Sequence, residues 1–297
     1  MVTLDVDLQK VKNTMDEFGD LCKRILTYLP NVLGSYKEKA CYKIYSSQIA
    51  DNLKYVRPIN NNLFIYNSNG FSTCFELFKS ILHKIRNKEE SISIDDTRLI
   101  DIVTYTIQQS IGVGLDLLVS PNSARKHVGN RFEELIKVIL TNIGVANKKI
   151  VLQIPYKTDS GTKVYKCEND LVLSPYKVVN STTTNLDENE VVVSIKTTSK
   201  DRMGKIFIDK MLLEKFVGHP QKVIGIFLND VQRKNTDNIS YTLVSGLFMV
   251  YTNFLTKVEG IYYIDPPPTA LRDPFSNYMK PFSELITKDI TNLLTSK

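Results

Sequence analysis

Tryptophan is absent from this 297-residue chain, and histidine occurs only three times. The four cysteines, Cys22, Cys41, Cys74 and Cys167, lie far apart with no CxxC pair. Together these scarcities argue against a structural zinc site and for free thiols in a reducing compartment. No apolar run approaches the ~18 residues that a membrane helix needs, and no repeat recurs at a solenoid period. Gly112-Val113-Gly114 is not followed by a dinucleotide fingerprint, and no Walker lysine motif occurs, which argues against nucleotide-driven chemistry. The opening stretch MVTLDVDLQKVKNTMDEFGD alternates acidic and apolar residues and is unlike a signal peptide. The expectation is a cytoplasmic protein with no membrane partner.

What is present is an ordinary globular balance, 42% hydrophobic and 24% charged, enough apolar sequence for one large domain or two modest ones. Lysine and arginine number 38 against 32 acidic residues, a net charge of +6, which is compatible with a polyanionic partner without requiring one.

Apolar spacing divides the chain into two regions. Leu4, Leu8, Val11, Met15, Phe18, Leu21, Ile25 and Leu29 recur at helical steps, predicting a helix over 4–30 that Pro30 and Gly34-Ser35 end. Helices are also predicted near 36–57, where the pattern is harder to read, and over 73–87 and 97–118, the last opened by Asp95-Asp96. Residues 1–118 thus read as mainly α-helical, with a turn at Asn60-Asn61-Asn62. From Ser123 an amphipathic helix runs to Asn142. Strand-like runs follow at 149–156, 162–173, 190–198, 222–230 and 240–251, with a helix from Lys205 to Val217 between the third and fourth. The polar stretch 180–190 reads as a mobile surface hairpin connection, His219-Pro220 as a helix terminator and Asp265-Pro266-Pro267-Pro268 as a rigid turn.

One pair of strands carries chemistry. Glu168-Asn169-Asp170 precedes the apolar Leu171-Val172-Leu173, and the next strand reads Val191-Val192-Val193-Ser194-Ile195-Lys196. Alternation puts Ser194 and Lys196 on one face and Val193 and Ile195 on the other. Adjacent strands of this kind bring a carboxylate and an ammonium into one cleft. A lysine in that strand otherwise serves to guard an exposed edge. Glu133 and Glu134, on the preceding helix, read without further context as solvated charges.

Asp170 followed by Ser194-Ile195-Lys196 resembles the PD-(D/E)XK nuclease motif, and Lys196-Thr197-Thr198-Ser199-Lys200-Asp201-Arg202 resembles the catalytic segment of EcoRII-type restriction endonucleases. The resemblance covers about 120–230. It implies an α/β restriction-endonuclease-like core over 119–297, a mixed central sheet flanked by helices, with the mainly helical region 1–118 serving dimerisation or DNA contact. In that group the second carboxylate moves to the following helix, thirteen or so residues past the lysine, which is Asp209 here. A glutamate from a preceding helix falls on Glu133 within Gly129-Asn130-Arg131-Phe132-Glu133, with Glu134 its neighbour. Ser194 stands where the commonest form has a carboxylate, and Asp209 is shorter than the usual glutamate.

The resemblance implies a type II restriction endonuclease that makes magnesium-dependent, site-specific cuts in double-stranded DNA. Asp170 and Asp209 would hold Mg²⁺ through hard oxygen ligands, Lys196 would orient the attacking water and stabilise the transition state, and Glu133 would complete the carboxylate set. Lys200, Asp201 and Arg202 would read C·G pairs of a short palindrome containing CC/GG, since Arg and Lys donate to guanine O6 and N7 while Asp accepts from cytosine N4. Lys205 and Lys210 would contact phosphates. A palindrome is met most simply by a homodimer, with a tetramer the other assembly. A companion methyltransferase and a bacterial host are implied by the family alone. A repair or junction-resolving nuclease of the same fold, or a DNA-binding protein that has lost catalysis, are the alternatives.

Overall fold

The computed structural model describes residues 2–49, 52–89, 92–235 and 238–295. Six strands form its central sheet: β5 (Ala146–Thr158), β6 (Gly161–Ser174), β7 (Val191–Lys196), β8 (Lys222–Asn229), β11 (Gly260–Asp265) and β12 (Met279–Pro281). Their order across the sheet is β12-β11-β8-β7-β6-β5. β5, β6 and β7 pair antiparallel, whereas β7, β8, β11 and β12 run parallel.

Side-chain alternation divides this sheet between two apolar layers. Leu171, Leu173, Val191, Val193, Ile195, Ile224 and Ile226 face one layer, together with buried residues of the amino-terminal helices and of the helical segment over 282–294. Val172, Val192, Val223 and Phe227 face the other, against α6 (Met203–Val217) and α7 (Ser245–Phe254). The result is a three-layer α/β/α arrangement. Hydrophobic residues from both sides of position 118 belong to the first layer, so the helical region and the sheet share one core.

Five helices build that first layer: α1 (Leu4–Gln9), α2 (Met15–Tyr28), α3 (Ser68–Arg86), α4 (Ile94–Leu118) and α5 (Pro121–Asn142). α4 is buried around most of its circumference from Val103 to Leu115, which makes it the axis of the layer. It opens on a capping box between Ser93 and Asp96, so Asp96 acts with Ser93 and the helix starts earlier than the Asp95-Asp96 pair suggests.

Four expectations are corrected. The single helix over 4–30 is broken, because Lys10 is extended and Thr14 starts a new helix with Glu17 in a capping box. The helix near 36–57 is instead a small antiparallel sheet: β1 (Leu33–Lys39), β2 (Tyr42–Ile49), β3 (Asn52–Tyr55) and β4 (Ile59–Asn60); residues 50–51 lie outside the described residues. Its hairpin closes at Ala40, which adopts a left-handed φ of 53°. The strand expected over 240–251 is a two-part element, since β10 (Asn238–Tyr241), paired with β9 (Val231–Lys234), ends before α7 begins. There Phe248 and Thr252, one helical turn apart, are buried, and Phe248 packs edge-on against Phe207 of α6. The loop 180–190 is pinned: the buried Glu190 carboxylate accepts from Asn180 N at 2.6 Å and Ser181 N at 3.0 Å, and Leu186 is fully buried.

The small sheet is tied to the central one by a buried polar cluster. Asp265, at the end of β11, accepts from Tyr42 OH at 3.0 Å and Asn60 Nδ2 at 2.8 Å. Tyr105 OH of α4 accepts from Asn60 N at 2.7 Å. Burial pushes the Asp265 carboxyl up to about 6. A hydrogen bond to a charged acceptor is stronger than one to a neutral acceptor, so the Tyr42 hydroxyl matters most where Asp265 is ionised. Tyr42→Phe is expected to lower stability by about 1–3 kcal/mol, with the loss growing as pH rises through 6. Urea denaturation of both proteins at pH 5 and pH 7.5 measures it.

Candidate functional site

The carboxylate of Asp170 sits where β6 and β7 part. β6 pairs with β7 only from Leu171 to Leu173, opposite Val193 to Val191. On its other side Lys148 pairs with Val172 but Ile150 with Asn169, so β6 carries one extra residue there, a bulge beside Asp170. Bulges bend a strand and re-aim its side chains, and they recur near active sites. Beyond that point the Asp170 side chain takes over from the ladder: its Oδ2 accepts from Ile195 N at 2.8 Å. The same oxygen accepts from Lys196 Nζ. β7 lies between β6 and β8, so Lys196 is no edge-strand guard.

Around this pair lies a cavity of about 480 Å³ lined by Glu133, Lys149, Glu168, Asp170, Lys196, Arg202, Lys205 and Asp209 among others. Glu133 reaches it from α5, Asp170 and Lys196 from the sheet, and Asp209 from α6. The expected set Glu133, Asp170, Lys196 and Asp209 therefore borders one cavity.

Glu133 and Glu134 have separated roles. Glu134 accepts from Arg131 Nη2 at 2.5 Å and from Lys12 N at 2.8 Å, tying α5 to the segment between α1 and α2. Glu133 faces the cavity, where burial and then the Asp170 charge push its carboxyl up to about 7. Lys196 and Lys149 oppose that rise. Lys149, across the ladder, pairs with Glu168 at 3.2 Å. Neither Lys149 nor Glu168 stands out in the sequence as a site residue. The available signal is Glu168 two positions before Asp170, with Lys149 in the facing strand.

Asp209 is engaged otherwise. Both of its oxygens accept from Lys205 Nζ, at 2.7 and 2.5 Å, one helical turn away on α6. Lys205 is thus an ion-pair partner rather than an uncommitted cation. Lys210 is buried and bonds Glu259 Oε1 at 2.6 Å, which corrects its reading as a phosphate contact.

No three His, Cys, Asp or Glu side chains among the described residues stand together as a ready metal cluster. The donor chemistry nevertheless fits magnesium, which binds through one or two carboxylates and keeps several waters. Burial and then the Asp170 charge push the Glu133 carboxyl up, and a cation between them would relieve that repulsion.

The segment after β7 is held by one buried carboxylate. Asp230 Oδ1 accepts from Ser199 N (2.7 Å), Thr198 Oγ1 (3.1 Å) and Thr242 Oγ1 (3.1 Å). Its Oδ2 accepts from Ser199 Oγ (2.6 Å) and Tyr263 OH (2.7 Å). This clamp holds the turn that carries Lys200, Asp201 and Arg202, all exposed, with Asp201 in a left-handed conformation at φ 56°. Lys200 Nζ reaches Gln232 Oε1 at 3.3 Å, and Arg202 lines the cavity itself.

No protein-family model matches the chain, and no curated protein matches it by sequence. Among solved structures it is similar to the type IIP restriction endonuclease Kpn2I, with a TM-score of 0.71 at 18% identity, covering 94% of this chain and 91% of that one. A weaker likeness is to restriction endonuclease PspGI in a complex with substrate DNA, with a TM-score of 0.42 at 12% identity over 74% of this chain and 92% of the other. The first likeness establishes the fold: a restriction-endonuclease-like mixed sheet flanked by helices.

The environment of Glu133 makes a signed prediction. A carboxyl whose folded value is raised keeps its proton while the unfolded chain releases it, so it lowers stability as pH rises from about 4.5 to about 7. Glu133→Gln removes that penalty. The variant is expected to match the parent near pH 4 and to exceed it by on the order of 1–2 kcal/mol above pH 7, read from urea denaturation at both pH values.

Proposed function

We propose that the chain is a type II site-specific deoxyribonuclease that hydrolyses double-stranded DNA with Mg²⁺ at a short palindrome containing CC/GG. The observation that carries this reading is the convergence of Asp170, Lys196 and Glu133 where β6 and β7 part, within a restriction-endonuclease fold. Neighbouring carboxylates and a lysine suit phosphodiester hydrolysis, which needs an oriented water and neutralisation of charge on the phosphorane-like transition state.

In this reading the Lys196 ammonium, steadied by Asp170, orients the water and faces the charge that develops on phosphate. Ile195 N–H fixes the Asp170 carboxylate. Glu133 completes the acidic set. Asp170 and Asp209 would hold magnesium, Asp209 giving up Lys205 to do so. When bound, the ion supplies a Lewis acid and lowers the pKa of its water. Lys205, released from Asp209, is then available to a phosphate.

Lys200, Asp201 and Arg202 read the central pairs: the cations donate to guanine O6 and N7, and Asp201 accepts from cytosine N4. Asp230 keeps that segment in register with Lys196. A palindromic site calls for a two-fold assembly, so the working form is a homodimer or a tetramer built from dimers. A companion methyltransferase would protect the same sequence in the host.

Digestion of a sequenced plasmid tests the reading. Discrete fragments are expected with Mg²⁺ and none with EDTA, and Lys196→Ala should slow cleavage by at least about 10²–10³-fold. A structureless smear, or intact plasmid under every metal condition, refutes site-specific cleavage; preference for branched over linear DNA would favour a junction-resolving nuclease. Asp201→Ala should still cleave but relax selection at one C·G pair by roughly 1–3 kcal/mol, seen as new fragments at single-mismatch sites.

A further inference from the structure

A second, larger cavity, about 790 Å³, opens beside the β7 terminus. Lys196 lines the first cavity and Thr197, the next residue, lines the second. Thr197 directly follows the last residue of β7, so the two cavities meet at that strand end. The cations that line the second come from three places: Lys54 and Arg57 of the small sheet and its exit, Arg125 near the start of α5, and Arg233 of β9.

Charge in this cleft is one-sided. Its carboxylate, Asp116, is held by Arg57 through two bonds of 2.8 Å. Arg125 and Arg233 are exposed and have no acidic partner among the described residues. Arg233 lies over the Tyr55 ring, 5.5 Å from its centroid, so β9 and the small sheet meet across the cleft. α5, a 22-residue helix, points its amino terminus here, and Ser120 makes no side-chain cap bond. Its first amide groups and dipole add partial positive charge.

We infer that this cleft holds the sugar-phosphate backbone of the duplex on the flank of the cleavage site, with Lys54, Arg125 and Arg233 as its phosphate contacts. The inference rests on the nuclease reading and makes the small sheet the outer wall of the DNA channel. A polyanion suits the cleft better than one small anion, because its cations come from three separate elements. The duplex seated at Lys196 is the polyanion that continuity of the two cavities places there. These contacts carry no sequence information, so they act on all DNA equally.

Binding of a 30-base-pair random-sequence duplex, followed by fluorescence anisotropy over a series of salt concentrations with Ca²⁺ in place of Mg²⁺, measures the effect. Each phosphate contact contributes about 0.9 to the slope of log affinity against log salt. The triple variant Lys54→Ala, Arg125→Ala, Arg233→Ala should therefore lose roughly 2 to 3 from that slope, while Lys257→Ala, at an exposed lysine that lines neither cavity, keeps it. Thermal unfolding of the triple variant checks that it folds; if it does not, the three single variants, each expected to lose about 0.9, replace it. Hydroxyl-radical footprints at the mapped cleavage site should contract on the flanks in the variant. A parent-like slope in the folded variant, an unchanged flank footprint, or displacement of the duplex from this cleft by millimolar inorganic phosphate or AMP overturns the inference. Failure of the nuclease reading shows separately, as absence of discrete plasmid fragments from the parent protein.

Discussion

The bond from Ile195 N–H to the Asp170 carboxylate is the constraint on which the candidate site depends. Two antiparallel strands normally satisfy each other's amides along their whole length. Here the β6 bulge ends that pairing at Leu171, and a buried N–H left without an acceptor would cost about 1–3 kcal/mol. The Asp170 side chain removes the deficit and is fixed by doing so. The same oxygen then receives Lys196, whose position on β7 is set by the parallel pairing of Lys196 with Phe227 on β8. Carboxylate and ammonium are thus placed by backbone geometry rather than by their mutual attraction, which at a partly exposed site is worth little.

A second carboxylate plays the matching role one strand further on. Asp230 is fully buried, yet five donors from 198–199, Thr242 and Tyr263 surround it. A buried charge is tolerable only when it is hydrogen-bonded in this manner. The donors come from the segment after β7, the segment after β10 and from β11, so Asp230 couples the exposed Lys200-Asp201-Arg202 turn to the centre of the sheet. Asp265 does the same for the small amino-terminal sheet through Tyr42 and Asn60. Each functional surface is therefore referenced to the carboxyl ends of β8 and β11, the region where open α/β sheets take their ligands.

The elements that carry the site are legible in the sequence because they are written as continuous apolar runs or at helical spacing. Leu171-Val172-Leu173 and Val191-Val192-Val193 are buried on both faces, and α5 and α6 show apolar residues at helical spacing. The amino-terminal strands are not legible, for the opposite reason: β1 is exposed along nearly its whole length, so neither face leaves an apolar imprint. α7 reads as a strand because a short run of Leu, Phe, Met, Val and Tyr has the same composition in a buried strand as in a helix. Asp230 stands at the end of a readable strand, but its meaning depends on donors 12 to 33 positions away. The same holds for Lys149 and Glu168, whose proximity is a property of cross-strand register.

The charges of the two cavities differ in kind, and the difference follows from what each is built beside. In the first, Glu133, Glu168, Asp170 and Asp209 are mixed with Lys149, Lys196 and Lys205, and each of these lysines is paired with a carboxylate. Such a site holds its acids near one another by interleaving cations, and Glu133, which among the described residues has no ion pair, is pushed up by burial and by the Asp170 charge. In the proposed reading, Asp170 and Asp209 would hold a divalent ion there, whose charge would offset the acids, and Lys205 would be left to meet a phosphate. In the second cavity the carboxylate of Asp116 is already neutralised by Arg57, and Lys54, Arg125 and Arg233 face solvent. In the proposed reading, a phosphodiester chain crossing the β7 terminus would bring anions to the cations of both cavities.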